Sequence, residues 1–267
     1  MNWQHIGILA LFDLRHSLLR LKGLVFLIPF LLFWYGILKL LLEKGATVLV
    51  STESLLILSW ILNPDIARTL LILHPPSISV FFLVTLATAP GFALLAANDQ
   101  VAGDAGSKSL RYLMTRCTRT EIFLARFAGS YGLMAIGIAI IGTLAILISL
   151  VNDQHPPARI LAYGLQVNLL ILAYLLPLVA YMSAISALMS SALASLLAGA
   201  FIYVLLVVLN AYLNHYLPVD ISLLPGGMKD YLLTMNSADI ILALAGFLAY
   251  TAIFSVLGWW LFRRRNI

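Results

Sequence analysis

Six stretches of this chain are apolar over about 20 residues each, and that feature limits the folds open to it more than any other. A helix crossing the roughly 30 Å hydrocarbon core of a bilayer needs about 20 mostly apolar residues, because each residue rises about 1.5 Å. The six run approximately over 24–42, 78–97, 122–150, 161–188, 192–213 and 240–262. With 62% hydrophobic and 10% charged residues and a mean hydropathy of +1.01, the chain has too little polar surface to cover a water-soluble globule. Glycine and proline are scattered, with no linker, low-complexity segment or internal repeat. The expected fold is therefore an all-α integral membrane protein with six transmembrane helices in a single domain over 1–267.

Details of the spans refine this picture. The aromatics of 30–35 and 258–262 fall near span ends, where interface anchoring would put them. Pro90-Gly91 and Pro177 lie within spans two and four, where proline removes a backbone hydrogen bond and permits a kink. Residues 55–62 are too few to span. Residues 66–73 follow Asn63-Pro64-Asp65, which reads as an N-cap, a first-turn proline and a first-turn acid. Both segments are expected as short helices at the membrane surface. Pro225-Gly226-Gly227 marks a turn within 219–236.

The loops sort by charge. One side holds Arg15, Arg20 and Lys22, the basic residues of the 98–121 loop with nearby Arg126, and the tail Arg263-Arg264-Arg265. The other side carries Lys39, Lys44, Arg68, Arg159 and Lys229 among Glu43, Glu53, Asp65, Asp153, Asp220, Asp230 and Asp239. The positive-inside rule then places both termini in the cytoplasm of a cell with this chain in its plasma membrane, the inner membrane of a bacterium. Residues 1–22 lack a cleavage site. They read as an amphipathic interfacial helix with Trp3, Ile6, Leu9 and Phe12 at helical spacing. The net charge of +5 needs only basic loops facing anionic membrane lipid or a protein partner, and no nucleic acid.

Residues 99–129, which join spans two and three and open span three, carry five of the chain's 16 basic residues: Lys108, Arg111, Arg116, Arg119 and Arg126. Leu110, Leu113, Met114 and Cys117 recur at i, i+3, i+4 and i+7, with Lys108, Arg111 and Thr115 on the other side, so a short amphipathic helix is expected. Thr118-Arg119-Thr120-Glu121 is a capping-box pattern directly before Ile122-Phe123-Leu124. One helix should stop near Cys117 and span three start at Thr118. Two readings of the charges stand side by side: a docking face for a partner, and positive-inside topology alone.

These residues are similar to the signature loop of ABC-2-type transporter permeases, the membrane subunits of ATP-binding cassette exporters. In that family a Gly-Glu, a Gly-Thr-Leu, a Leu-Leu-Ser/Thr-x-Pro and a Ser-Arg-x-Glu follow in order. Here Gly103-Asp104, Lys108-Ser109-Leu110, Leu113-Met114-Thr115-Arg116-Cys117 and Thr118-Arg119-Thr120-Glu121 stand in those places, with Ala125-Arg126 after them. Lys108 and Cys117 replace the family's glycine and proline. Asp13-Leu14-Arg15 resembles the Glu-Leu-Arg of the N-terminal elbow helix, and the basic Phe-Arg-Arg-Arg ending is also similar. In compactness the chain resembles the permeases of the nitrous-oxide-reductase accessory type.

The resemblance implies a coupling helix within 103–117, a pore module of two permease subunits (two copies of this chain or two different chains), and a nucleotide-binding ATPase subunit on each coupling helix. Gly103, Asp104, Lys108, Ser109, Leu110, Arg111, Leu113, Arg116, Arg119 and Glu121 would form the ATPase-coupling region. Within it Lys108, Arg111, Arg116 and Arg119 would meet the ATPase, while Leu110 and Leu113 would anchor the helix. Asp13 and Arg15 would belong to the elbow.

Other chemistry lacks its residues. Without a G-x-x-x-x-G-K-[ST] the chain does not cradle ATP itself, so ATP and magnesium would sit in the partner, and the chain by itself is no enzyme. There is no H-E-x-x-H, and His5, His16, His74, His155 and His215 lie far apart in sequence, so no bound metal or other cofactor is expected. The lone Cys117 excludes an intrachain disulfide. No Asp, Glu, Lys or Arg lies centrally in a span, which disfavours ion-coupled transport. Gln166, Asn168, Ser183, Ser186, Ser190, Ser195 and Asn210 either let helices pack closely or line a substrate path. The expected function is export of a hydrophobic or amphipathic substrate. The alternatives are a non-transporting assembly or scaffold subunit, or an intramembrane enzyme.

Overall fold

The computed structural model describes residues 3–19, 21–49, 66, 69–102, 113–216 and 223–265. Among the described residues the chain is helical, without a strand. The elements are α1 (Trp3–Leu19), α2 (Leu21–Leu49), a π-helical turn (Thr69–Leu73), α3 (Pro76–Ala97), α4 (Arg119–Asn152), α5 (Pro157–Leu188), α6 (Ala192–Tyr216), a 3-10 turn (Pro225–Met228), α7 (Lys229–Leu233) and α8 (Ser237–Arg264).

Among the described residues five helices, α3, α4, α5, α6 and α8, are long and apolar enough to cross a membrane. They coincide with the last five apolar stretches of the sequence. The first stretch lies in α2, whose apolar segment Phe26–Leu42 is shorter than those five. Local chemistry sets several boundaries. Pro76 and Pro157 sit at the first turns of α3 and α5, where a missing N–H costs no helical bond. Asn236 Oδ1 accepts the Ala238 N–H at the start of α8. Both α3 and α5 continue through their internal prolines, Pro90 and Pro177.

The core forms around α5. Buried residues make up 78% of its apolar window, against 11% in α6 and in α8, so α5 is the helix the others enclose. Backbones approach it closely where a neighbour offers glycine. A Cβ at Gly258 of α8 would lie 2.9 Å from Ala184 Cα and 3.0 Å from Phe123 Cζ, and one at Gly142 of α4 would overlap the Asn168 carboxamide. Small residues at such crossings let dispersion contacts form where lipid removes most of the hydrophobic drive between helices.

The aromatics of α2 are core residues, not interface anchors. Phe30 and Trp34 are buried, and only Tyr35 of the expected belt is exposed. Phe30 packs edge-on against Phe92 at 5.1 Å, and Trp34 lies 5.2 Å from the Phe81 ring, geometries that suit ring quadrupoles. Likewise Phe262 is buried while Trp260 is exposed. The helical repeat places Phe30 and Trp34 on the α3-facing side, while Phe262 packs against Phe123 of α4; a lipid-facing side can be as apolar as either.

At the end of the bundle where α4 stops and α5 starts, Asp153 accepts hydrogen bonds from the Ser77 N–H, Ser77 Oγ and Ser149 Oγ. The buried carboxylate thereby joins α3 to α4. The π-helical turn packs there with Leu70 and Leu71 buried against the bundle and Ile72 and Leu73 exposed. Ser79 Oγ takes the Leu70 carbonyl and Arg159 takes that of Leu73 at 2.7 Å, satisfying acceptors that the turn leaves open. Residues 55–62 and the cap at 63–65 lie outside the described residues. The Pro225 turn also folds inward, with Leu224, Leu232 and Leu233 buried.

Two tests follow from this packing. Gly142→Ala forces Asn168 aside and is expected to cost about 1–3 kcal/mol. Adding Asn168→Ala should recover part of that loss in thermal unfolding in detergent, whereas additive losses would show the two sites to be independent. His74 stacks on Tyr163 at 4.3 Å, and burial, then Arg159 and His155, holds its pKa below the ordinary 6.5. The unfolded chain therefore takes up this proton more readily, so the contribution of neutral His74 is complete above about pH 6.5 and is lost as pH falls below it. The melting temperature should decline more steeply below that pH in the wild type than in His74→Gln, and equal slopes would exclude His74 as the cause.

Candidate functional site

The basic end of the bundle gathers Arg116, Arg119, Arg126 and the Arg263–Arg265 tail around the segment that joins α3 to α4. Within that segment Gly103, Asp104, Lys108, Ser109, Leu110 and Arg111 lie outside the described residues, so the helical register expected there has no described counterpart. What the structure describes is how both ends of the segment are held.

The leading end is bound to α5. Ser186 Oγ accepts the Val101 N–H at 3.0 Å and the Ala102 N–H at 3.1 Å, and Ser183 Oγ donates to Gln100 Oε1. These two serines, one helical turn apart, therefore receive a backbone turn in addition to permitting close packing. Residues Val101 and Ala102 are buried, and a buried N–H left without an acceptor would cost about 1–3 kcal/mol.

The trailing end closes in one turn, with the Arg116 and Cys117 N–H groups donating to the Leu113 carbonyl at 3.1 and 2.9 Å. The next residue starts α4. Thr118 Oγ1 accepts the Glu121 N–H at 3.3 Å, while Glu121 Oε2 accepts the Thr118 N–H at 2.9 Å. This is the reciprocal capping box expected from the four residues, and it places Glu121 in a structural role with its side chain buried. Leu113, Met114 and Cys117 pack on a small apolar cluster of Val101, Ile122, Phe123, Ala187 and Phe262, separate from the main core.

Arg119 turns toward the C-terminal tail. Its guanidinium donates to the carbonyls of Arg263 and Arg265 at 2.6 and 2.9 Å, satisfying acceptors at the end of α8 where a cation is also favoured by the helix dipole. Arg265 in turn donates to the carbonyls of Ala187 and Met189 at 3.0 and 2.7 Å, doing the same for α5. Trp259 Nε1 reaches Thr120 Oγ1 at 3.0 Å. The helix ends of α4, α5 and α8 are thus tied together at the segment's exit, and of the expected basic face Arg116 remains exposed on its turn.

Helix α1 joins from the side. Asp13, buried on α1, forms an ion pair with Arg126 of α4, and a Cβ at Gly129 would meet Asp13 Cβ at 3.0 Å. Ile6 and Asp13, two turns apart, face the bundle, whereas Trp3 and Phe12 are exposed. The apolar stripe expected along Trp3, Ile6, Leu9 and Phe12 is therefore divided, with Ile6 turned inward. Arg15 is exposed. The pairing of Asp13 with Arg126 spans 113 positions and has no local sequence signal beyond two opposite charges near helix ends.

This pair should anchor α1. Asp13→Ala and Arg126→Ala are each expected to lower stability by about 1–3 kcal/mol, with the double variant losing clearly less than the sum. Thermal melts in detergent measure that cycle, and strict additivity would show that the pair does not couple.

No curated protein matches the chain. Residues 75–267, from the start of α3 through the tail, match a family described as "Protein of unknown function (DUF2705)". The matched region contains the α3–α4 segment, the cluster beneath it and all five long apolar helices, and by this match the chain belongs to the DUF2705 family.

Proposed function

We propose that the chain is the membrane-spanning permease subunit of an ATP-driven exporter, working as a pair of such subunits with a separate nucleotide-binding ATPase. The observation that carries this reading is the fastening of the basic 103–112 segment at both of its ends. A push on that segment would reach α5 through Ser183 and Ser186, and α4, α8 and the tail through Thr118, Glu121 and Arg119. Such a connection suits a segment that receives a conformational load from a partner and biases a two-state bundle. The similarity of 103–126 to the ABC-2 signature loop supports the same reading.

The path of α2 supports a sixth crossing. Its predecessor α1 is held beside Arg126 at the basic end, while Asn152 Nδ2, at the far end of α4, donates to the Leu41 carbonyl. Six crossings would return both termini to one side, and the positive-inside rule makes that side the cytoplasm. Between α2 and α4 lies an apolar groove of about 540 Å³ lined by Tyr35, Leu38, Leu42, Leu144, Leu147 and Val151, with Lys39 and Asn152 also on its wall. Its chemistry suits the hydrophobic chain of an amphipathic substrate. The apolar outer faces of α6 and α8 suit lipid and a second permease subunit.

Purification of the tagged chain from native membranes in mild detergent, with mass spectrometry and an ATPase assay, tests the reading. A stoichiometric Walker-motif protein with vanadate-sensitive hydrolysis is expected, and its reproducible absence from monodisperse preparations would overturn the transporter assignment. Within such a complex, Arg111→Glu and Arg116→Glu should abolish the coupling of hydrolysis to transport while leaving the melting temperature unchanged. Coupled activity at the wild-type level in both variants would remove that face as the docking surface.

A further inference from the structure

His5, Cys117 and Glu121 are far apart in sequence, yet the fold brings one ligand atom from each to within 4.8 Å of the others. They come from three separate places: the first turn of α1, the turn that closes the α3–α4 segment, and the third position of α4. We infer that these three side chains form a binding site for a borderline-soft divalent cation of the zinc type. The inference does not depend on the transporter reading.

The donor set carries the choice of ion. A thiolate, an imidazole and a carboxylate are ligands that zinc accepts together, and three protein ligands with an open fourth position describe a known class of its sites. Zinc bonds of about 2.0–2.3 Å put tetrahedral ligands about 3.3–3.8 Å apart, so side-chain rotation of about an ångström closes the cluster. A hard cation such as magnesium would find one carboxylate and two unsuitable donors.

The surroundings fit a bound cation. Glu121 is buried, and its Oε2 is oriented by the Thr118 N–H, the kind of outer contact that holds a metal ligand in place. Arg119 donates to the tail carbonyls and Arg126 pairs with Asp13. The partial positive charge at the α4 N-terminus opposes a cation, and the anionic ligands offset it. Binding would release the Cys117 thiol proton to solvent. His5 is exposed, which leaves an entry path. Occupancy would join α1 to the start of α4 two turns away from the Asp13–Arg126 pair.

The test uses the full chain in mild detergent, carrying no polyhistidine tag, treated with chelator and titrated with cobalt(II). One cobalt per chain is expected, with a thiolate-to-metal charge-transfer band and intense visible bands of tetrahedral cobalt, both lost when zinc is added. Cys117→Ser should abolish the charge-transfer band. His5→Ala and Glu121→Gln should each weaken binding at least about tenfold; glutamine can still accept the Thr118 N–H, so the helix cap survives. Zinc should raise the melting temperature of the wild type and not of His5→Ala. Absence of the charge-transfer band in the monodisperse wild type, or wild-type affinity in both Cys117→Ser and His5→Ala, would overturn the site.

Discussion

Enclosure of α5 is the constraint on which the rest of the bundle depends. In hydrocarbon a helix gains little from burying apolar surface against another helix, so association rests on close backbone approach and on polar groups that find partners. Around α5 both are present. Gly142 of α4 and Gly258 of α8 bring those helices against Asn168 and Ala184. Tyr181 Oη donates to the Gly199 carbonyl of α6 at 2.7 Å. Once α5 is surrounded in this way, α6 and α8 keep outer faces that are apolar and, among the described residues, exposed, which is the surface a lipid-embedded helix needs.

The two ends of the bundle solve a common problem by different means. Helix termini leave backbone groups without intrahelical partners, and at a membrane boundary those groups need side chains. At one end a single buried carboxylate, Asp153, takes the Ser77 N–H and two serine hydroxyls. At the other, arginines do the work in relay: Arg119 takes the carbonyls at the end of α8, and Arg265, just beyond that helix, takes those at the end of α5. The relay also connects the α3–α4 segment to the C-terminal tail, so the basic residues of this end hold helices together as well as presenting charge. A charge count alone would assign them to topology or to docking, and Arg119 shows that the same guanidinium can be taken up by backbone.

The long helices were legible because a sustained apolar run has few other outcomes, and the Thr118–Glu121 cap because it is made within four residues. The aromatic run of α2 was legible as apolar but not as core. Whether Phe30 and Trp34 face α3 or lipid depends on how the helix is rotated against its neighbour, and a side that faces lipid can be as apolar as one that faces another helix. The serines of α5 were visible as small polar residues, while their use as acceptors for Val101 and Ala102 required knowing where the chain returns after α3. The short stretch at 66–73 was visible as apolar, while its packing into the bundle depends on Ser79 and Arg159, which lie on other elements.

Local periodicity and neighbours within one helical turn were enough to indicate an all-helical, strongly apolar chain, the course of its five long apolar helices, and the capping box that separates the α3–α4 segment from α4. Tertiary structure alone decided which helix is central, that Asp13 meets Arg126, that Arg119 serves the tail, and that His5 comes beside Cys117 and Glu121. Those pairings join residues separated by most of the chain, and only the packing of helices whose apolar faces look alike in one dimension selects which of them touch.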